Sequence, residues 1–133
     1  KEKNSYTGTY TLKYFYVEGC SNCGYFSKNG LPLIEEEFGD HMEIIKYNMD
    51  DRESVDEVRN AYDEVVNNII DFNQDDYGFG PFLVLDGYFA QLGVEDVDYF
   101  LENLISAIND GKLGEPMDND TYYYFKDGKI KGE

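Results

Sequence analysis

Tyr10-Thr11-Leu12-Lys13-Tyr14-Phe15-Tyr16-Val17 runs without a break into Glu18-Gly19-Cys20-Ser21-Asn22-Cys23, and the reading of this stretch decides the fold. Its first eight residues are rich in aromatic and β-favouring side chains, and their apolar C-terminal half suits a central strand buried on both faces. Both cysteines of the chain follow directly, at the head of a helix-like segment. A C-x-x-C pair alone is ambiguous, because the same spacing serves redox dithiols, zinc sites and inert short loops. About sixty residues further on, Gly80-Pro81-Phe82-Leu83-Val84-Leu85-Asp86-Gly87 sets a proline directly before a short apolar strand that ends in an Asp-Gly turn. The two features together are far more specific than either one.

Working outward, Tyr25, Phe26, Leu31, Leu33, Ile34 and Phe38 recur at helical spacing, interrupted by Gly30 and Pro32, which predicts a kinked or two-part helix. Gly39-Asp40 ends it, His41 is a solvated loop residue, and Met42 to Met49 forms the next strand. From Asp51 to Phe72 the spacing of Val55, Val58, Tyr62, Val65, Val66 and Ile69 is helical, with Ser54 and Glu57 in the form of a capping box. A polar, acidic loop leads to strands Phe82 to Leu85 and Tyr88 to Leu92, paired around Asp86-Gly87. Glu95 to Asn109 is a helix whose apolar face carries Val97, Phe100, Leu101, Leu104, Ile105 and Ile108, closed by Asp110-Gly111. Strand, helix, strand, helix, hairpin, helix implies an α/β protein with parallel neighbours and one antiparallel hairpin. The expected layout is a loose lead-in over residues 1–8, one domain over 9–111 and an extension over 112–133. In that extension Thr121 to Phe125 and Ile130, around Asp127-Gly128, form a small hairpin or an edge strand.

A chain of 133 residues with 41% apolar content is the size of one domain with one core. Its 28 acidic against 11 basic residues, a formal charge of −17, repel phosphate backbones and anionic lipid surfaces, so nucleic acid is excluded as a partner. No stretch reaches the roughly 20 apolar residues that cross a bilayer. Thirteen tyrosines without a tryptophan mark either an aromatic surface for a protein partner or buried rings with wet hydroxyls. The start at Lys1 leads us to expect a trimmed N-terminus and an extracytoplasmic protein, exported or membrane-anchored, with the cytoplasm as the alternative.

The order of elements resembles the thioredoxin fold over residues 9–110. Three local pieces carry the resemblance: Cys20-Ser21-Asn22-Cys23 matches the redox motif, Gly80-Pro81 matches the family's cis-proline, and Lys46-Tyr47-Asn48-Met49-Asp50 looks like its Lys-x-Asn-x-Asp strand end. Leu31 to Phe38 is similar to the helix that follows the cysteines in bacterial disulfide-bond oxidants. Their large helical insertion has no room here, since only about thirty residues separate Asp50 from Pro81. The chain departs from thioredoxin proper at Gly19, where that protein has tryptophan, at Ser21-Asn22 in place of Gly-Pro, and at Tyr14 in place of a buried aspartate. Gly80 stands where the family usually has Thr, Ile or Val. The resemblance implies a thioredoxin-like fold, a thiol–disulfide oxidoreductase that needs no cofactor or metal, and a cis Gly80–Pro81 bond beside the cysteines. Gly19, Gly80 and Pro81 would contact the substrate, with Gly80 leaving the groove uncrowded.

Exchange needs a reachable thiolate and a second thiol close enough to expel the mixed-disulfide partner. Cys20, at the helix start, lies where unpaired N–H groups and the helix dipole favour negative charge, so it is the attacking sulfur and Cys23, one turn in, the resolving one. An inert disulfide is the bland alternative, although so short a loop closes little entropy. Zinc needs about four ligands, and His41 is the sole histidine. Lys46 is a candidate to stabilise a Cys20 thiolate and Glu18 to oppose it, and either reads equally as a solvated surface charge, Glu18 above all. Tyr14 is a poor base at neutral pH, so the Cys23 proton should leave by water, Glu18 or the neighbourhood of Lys46. The expected partners are protein disulfides or a redox partner protein, met by a monomer. The rival from another class is a non-catalytic binding module on the same scaffold, part of a larger exported protein, in which the tyrosine-rich tail and acidic surface matter more than the thiols. The direction of exchange stays open.

Overall fold

A computed structural model describes residues 5–130; of the expected lead-in and extension, residues 1–4 and 131–133 lie outside the described residues. The aromatic run becomes β1 (Tyr10–Tyr16), with Leu12, Tyr14 and Phe15 buried. It pairs in parallel with β2 (Met42–Asn48), Tyr14 opposite Lys46, and antiparallel with β3 (Phe82–Leu85). β4 (Phe89–Leu92) continues the hairpin from β3, and β5 (Thr121–Tyr123) is added antiparallel to β4. The result is an α/β protein on one mixed five-stranded sheet of order β2-β1-β3-β4-β5, with β1 in its interior between β2 and β3 and β3 at the centre.

Period-two alternation divides the side chains between two layers. Leu12 and Tyr14 of β1, with Leu83, Leu85 and Phe89, face α2 (Leu31–Phe38) and α4 (Val97–Asp110), where Ile34, Phe38, Phe100 and Leu104 complete the core. Phe15, Phe82, Val84 and Ala90 face α3 (Val55–Asn67) through Val58, Tyr62, Val65 and Val66. Each of these fully buried large side chains is worth about 1.5–3 kcal/mol over an exposed one. α1 (Ser21–Tyr25) runs through a π-helical turn, Phe26–Gly30, into α2. The helix after the cysteines is therefore in two parts, with Pro32 in the first turn of the second, where its missing N–H costs nothing. Within the turn Gly30 is required, since a Cβ there would meet the Phe26 ring at 2.8 Å.

Several boundaries differ from expectation. The Ser54–Glu57 capping box does not form, because the chain enters α3 through a 3₁₀ turn, Arg52–Ser54, whose cap is the Asp51 side chain accepting from the Glu53 N–H. α3 stops at Asn67; Ile69 leaves the helix and bridges Phe125 instead, so its apolar spacing serves a strand-like contact. The hairpin turn takes three residues, with Leu85 opposite Phe89 and β4 beginning one residue later than Tyr88. α4 starts at Val97, capped by Asp96, which accepts from the Asp98 and Tyr99 amides. The described part of the lead-in is not loose: the Tyr6 ring packs at a tilt against Phe38 and its hydroxyl donates to Glu37 at 2.6 Å. His41 is half-buried rather than solvated, with Nδ1 2.7 Å from the Gly8 carbonyl.

The extension takes the edge-strand form of the two expected, and it is part of the core. Tyr123, Phe125 and Ile130 are buried, and the Ile70 and Lys126 amides exchange backbone bonds with Tyr124 and Asn68. Among the described residues no helix is long and apolar enough to cross a membrane.

Candidate functional site

The polypeptide leaves β1 through Gly19, whose φ of +75° lies in the left-handed region that favours glycine. Nothing lies near the position of a Cβ there, so Gly19 serves the turn and not steric clearance. The turn delivers Cys20 to the N-cap of α1, in extended conformation, with its sulfur accepting the Cys23 N–H at 3.1 Å. Cys20 is half-buried, whereas Cys23 is 3% exposed. Burial, joined by the hydrogen bond with Cys20, pushes the Cys23 thiol up to about 12. Both thiols are free. One reachable and one sheltered sulfur, a helical turn apart, is the arrangement expected from the sequence.

The Gly80–Pro81 peptide bond is cis, and Gly80 lies against both cysteines, with its carbonyl oxygen 3.8 Å from Cys20 Sγ. A Cβ on Gly80 would stand 3.1 Å from Cys23 Sγ and 3.3 Å from the Phe15 carbonyl. The absent side chain thus makes room for the Cys23 sulfur. Pro81 is buried and accepts the Gly93 N–H at 2.9 Å, which ties this segment to the end of β4.

Tyr14 points from β1 to the same spot. Its hydroxyl donates to the Cys23 carbonyl at 2.7 Å, so the Ser27 hydroxyl, 2.8 Å away, donates back to the phenol oxygen. Burial raises the Tyr14 pKa to about 12, which leaves the phenol neutral at pH 7. Lys46 and Glu18 are not brought to the sulfurs. Lys46 is exposed on the edge strand β2. The Glu18 carboxylate accepts from Asn48 Nδ2 at 2.7 Å, and its N–H donates to Asp50 at 2.8 Å, so the Lys-x-Asn-x-Asp segment fastens the turn before Cys20. Among the described residues no group of three or more His, Cys, Asp or Glu is placed to share a metal ion.

A groove of about 590 Å³, lined by Asn22, Phe79, Gly80, Gly93, Glu95 and Asn119 among others, adjoins the cysteines through Gly80, whose carbonyl faces Cys20; neither cysteine lines it. Phe79 is 62% exposed there. Sequence reasoning singled out Gly80 but missed Phe79, whose place directly before the Gly-Pro pair was the available signal. For Glu95 and Asn119 there was none, because they meet only when β5 joins the sheet.

Tyrosines hold the loop that carries this wall. The Tyr62 hydroxyl accepts the Gly78 N–H at 2.9 Å, Tyr77 donates to Asp63, and Tyr123 of β5 donates to Asp76. Many phenols in this chain are fasteners, with their hydroxyls hydrogen-bonded to protein groups. No protein-family model matches the chain, and no curated protein matches it.

Proposed function

We propose that this chain is a thioredoxin-like thiol–disulfide oxidoreductase acting on protein disulfides through Cys20 and Cys23. The observation that carries the reading is the pairing of a half-exposed N-cap sulfur with a sheltered second thiol, both set against Gly80 at the edge of a groove. The strand order, the cis Gly80–Pro81 bond and the resemblance of Cys20-Ser21-Asn22-Cys23 to the family motif support it.

In the reducing direction the Cys20 thiolate attacks one sulfur of a substrate disulfide and expels the other as a thiolate, forming a mixed disulfide. Cys23, after losing its proton, attacks Cys20 Sγ and releases the second substrate sulfur. The protein gives up two electrons and two protons, and the substrate disulfide becomes two thiols; the reverse sequence oxidises a substrate dithiol. Gly80 presents backbone to the groove, where an extended segment pairs as an added strand.

Insulin supplies the test: the reduced protein, freed of small reductant, is mixed with insulin and the release of insulin thiols is followed beside a Cys20→Ser control. Exchange that requires Cys20 supports the proposal. If both proteins leave insulin intact, the reducing direction is lost, and if a dithiol peptide is also left unoxidised by the disulfide form, exchange itself is lost. The scaffold then reads as a non-catalytic binding module.

A further inference from the structure

We propose that the groove beside Cys20 selects partner segments carrying a cationic side chain near the reacting cysteine, with Glu95 as the residue that reads the cation and Asn119 as the residue that positions Glu95. This rests on the exchange reading above, and it adds the chemical class of the segment exchanged.

The groove wall is mixed: Phe79 and Tyr25, exposed at 62% and 37%, supply its aromatic surface, and Asn22, Glu95 and Asn119 its polar side chains. Among the described residues Glu95 is the single charged one lining it, and no lysine or arginine does so. Its carboxylate is held in place, with Oε1 accepting both the Asn119 N–H at 3.2 Å and Asn119 Nδ2 at 3.1 Å. The buried Asp120 side chain accepts the Glu95 N–H at 2.9 Å, which fixes the backbone there. The Asn119 carbonyl packs so closely on Gly93 that a Cβ there would come within 2.5 Å, and the φ of +85° at Gly93 also excludes most side chains. The wall thus combines two exposed aromatic rings with one oriented carboxylate, on a chain of net charge −17.

Charge complementarity decides the occupant. A segment bearing Asp or Glu would meet Glu95 and the net negative field with no cation in the groove to offset them, whereas Lys or Arg is drawn in by both. Phe79 and Tyr25 supply the apolar contact that an extended, cysteine-bearing segment of a partner protein needs. Residues 119 and 120 belong to the C-terminal extension, so the extension is a specificity element of the redox site.

The test uses two capped hexapeptides of identical length, each with one cysteine as its methyl disulfide, one flanked by two arginines and the other by two glutamates. Cys20 attacks the peptide sulfur and expels methanethiolate; Cys23 then frees the peptide thiol, so the probe disulfide becomes two thiols as the protein is oxidised. The arginine peptide should react about tenfold faster at low ionic strength, a preference that 1 M salt removes. Glu95→Gln should cut the preference by about threefold, the size of one exposed charge pair, and Asn119→Ala should cut it in the same direction. Glu36→Gln, an equal charge change on the exposed face of α2, should leave the preference intact. Equal rates for the two peptides, or an equal loss in Glu36→Gln, overturns the inference and leaves exchange standing. Reaction with neither peptide removes the exchange reading and this inference with it.

Discussion

The Tyr14 hydroxyl donates to the backbone carbonyl of Cys23 at 2.7 Å, so the central strand grips the helix turn that carries the sheltered thiol. The phenol is wholly buried and neutral at pH 7, with its pKa at about 12 through burial, so it holds the turn without exchanging a proton with it. Tyr14→Phe should therefore lower unfolding free energy by about 1 kcal/mol through the lost bond to a buried carbonyl, read from urea denaturation, and leave the exchange rate within about twofold, since no proton is taken by a group titrating so high. Tyr14→Asp, which from the sequence alone ought to speed turnover, places a carboxylate against Phe26, whose ring centroid is 4.9 Å away. The cavity and buried charge should cost about 3 kcal/mol or more, which would show as a fold too weak to assay at 37 °C.

Resolution of the mixed disulfide should be slow at neutral pH and accelerate with alkali. Burial holds the Cys23 thiol near about 12, so its thiolate fraction rises about tenfold for each pH unit well below that value. Stopped-flow release of the second thiol from a preformed Cys20 mixed disulfide, measured from pH 6 to 9, should give a log-rate slope near one; a plateau near pH 7 would mean that a neighbouring base takes the proton.

Stability should fall on the alkaline side. Cys23 is raised from 9.0, and Tyr14, Tyr122 and Tyr123 from 10.0, to about 12, each chiefly by burial. The folded state holds these protons more tightly than the unfolded chain, so its stability is fully present below about pH 9 and is lost as pH rises towards 12. Urea midpoints should be flat from pH 7 to 8.5 and drop steadily above pH 10, and a rise there would contradict the burial of these groups.

Gly80→Ala tests the contact between Gly80 and the resolving thiol. The added methyl would stand 3.1 Å from Cys23 Sγ and 3.3 Å from a backbone oxygen of the buried strand β1, so the sulfur has to give way. A loss of about 1–2 kcal/mol is expected from such overpacking, together with slower release of the mixed disulfide. An unchanged urea midpoint would show that space is open there.

Much of this site was legible in the sequence because its parts are local. The aromatic run, the cysteine spacing at a helix start and the Gly-Pro before an apolar strand are each contiguous, and they place Cys20, Cys23 and Gly80 correctly relative to their own elements. Residues whose roles depend on distant partners were not legible. Ile69 continues the apolar spacing of α3 yet pairs with Phe125, because periodicity does not distinguish a helix face from a bridge contact. Ser54 and Glu57 have capping-box spacing, but a turn capped by Asp51 occupies the entry to α3. Glu18 and Lys46 looked like partners of the thiols by position along the chain, whereas Glu18 binds Asn48 and Lys46 stays on the sheet edge. The wall made by Glu95 and Asn119 joins residues 24 positions apart that share no motif.

Equilibration of the protein with glutathione buffers of graded potential, read by intact mass after acid quench, tests the redox role of Cys20 and Cys23 most directly. The predicted result is one reversible two-electron transition, a loss of two hydrogens assigned to a Cys20–Cys23 disulfide, with a midpoint between about −120 and −270 mV, and no such transition in Cys20→Ser. A chain that stays a dithiol at every potential, or that takes glutathione on Cys23 without closing the disulfide, would contradict it.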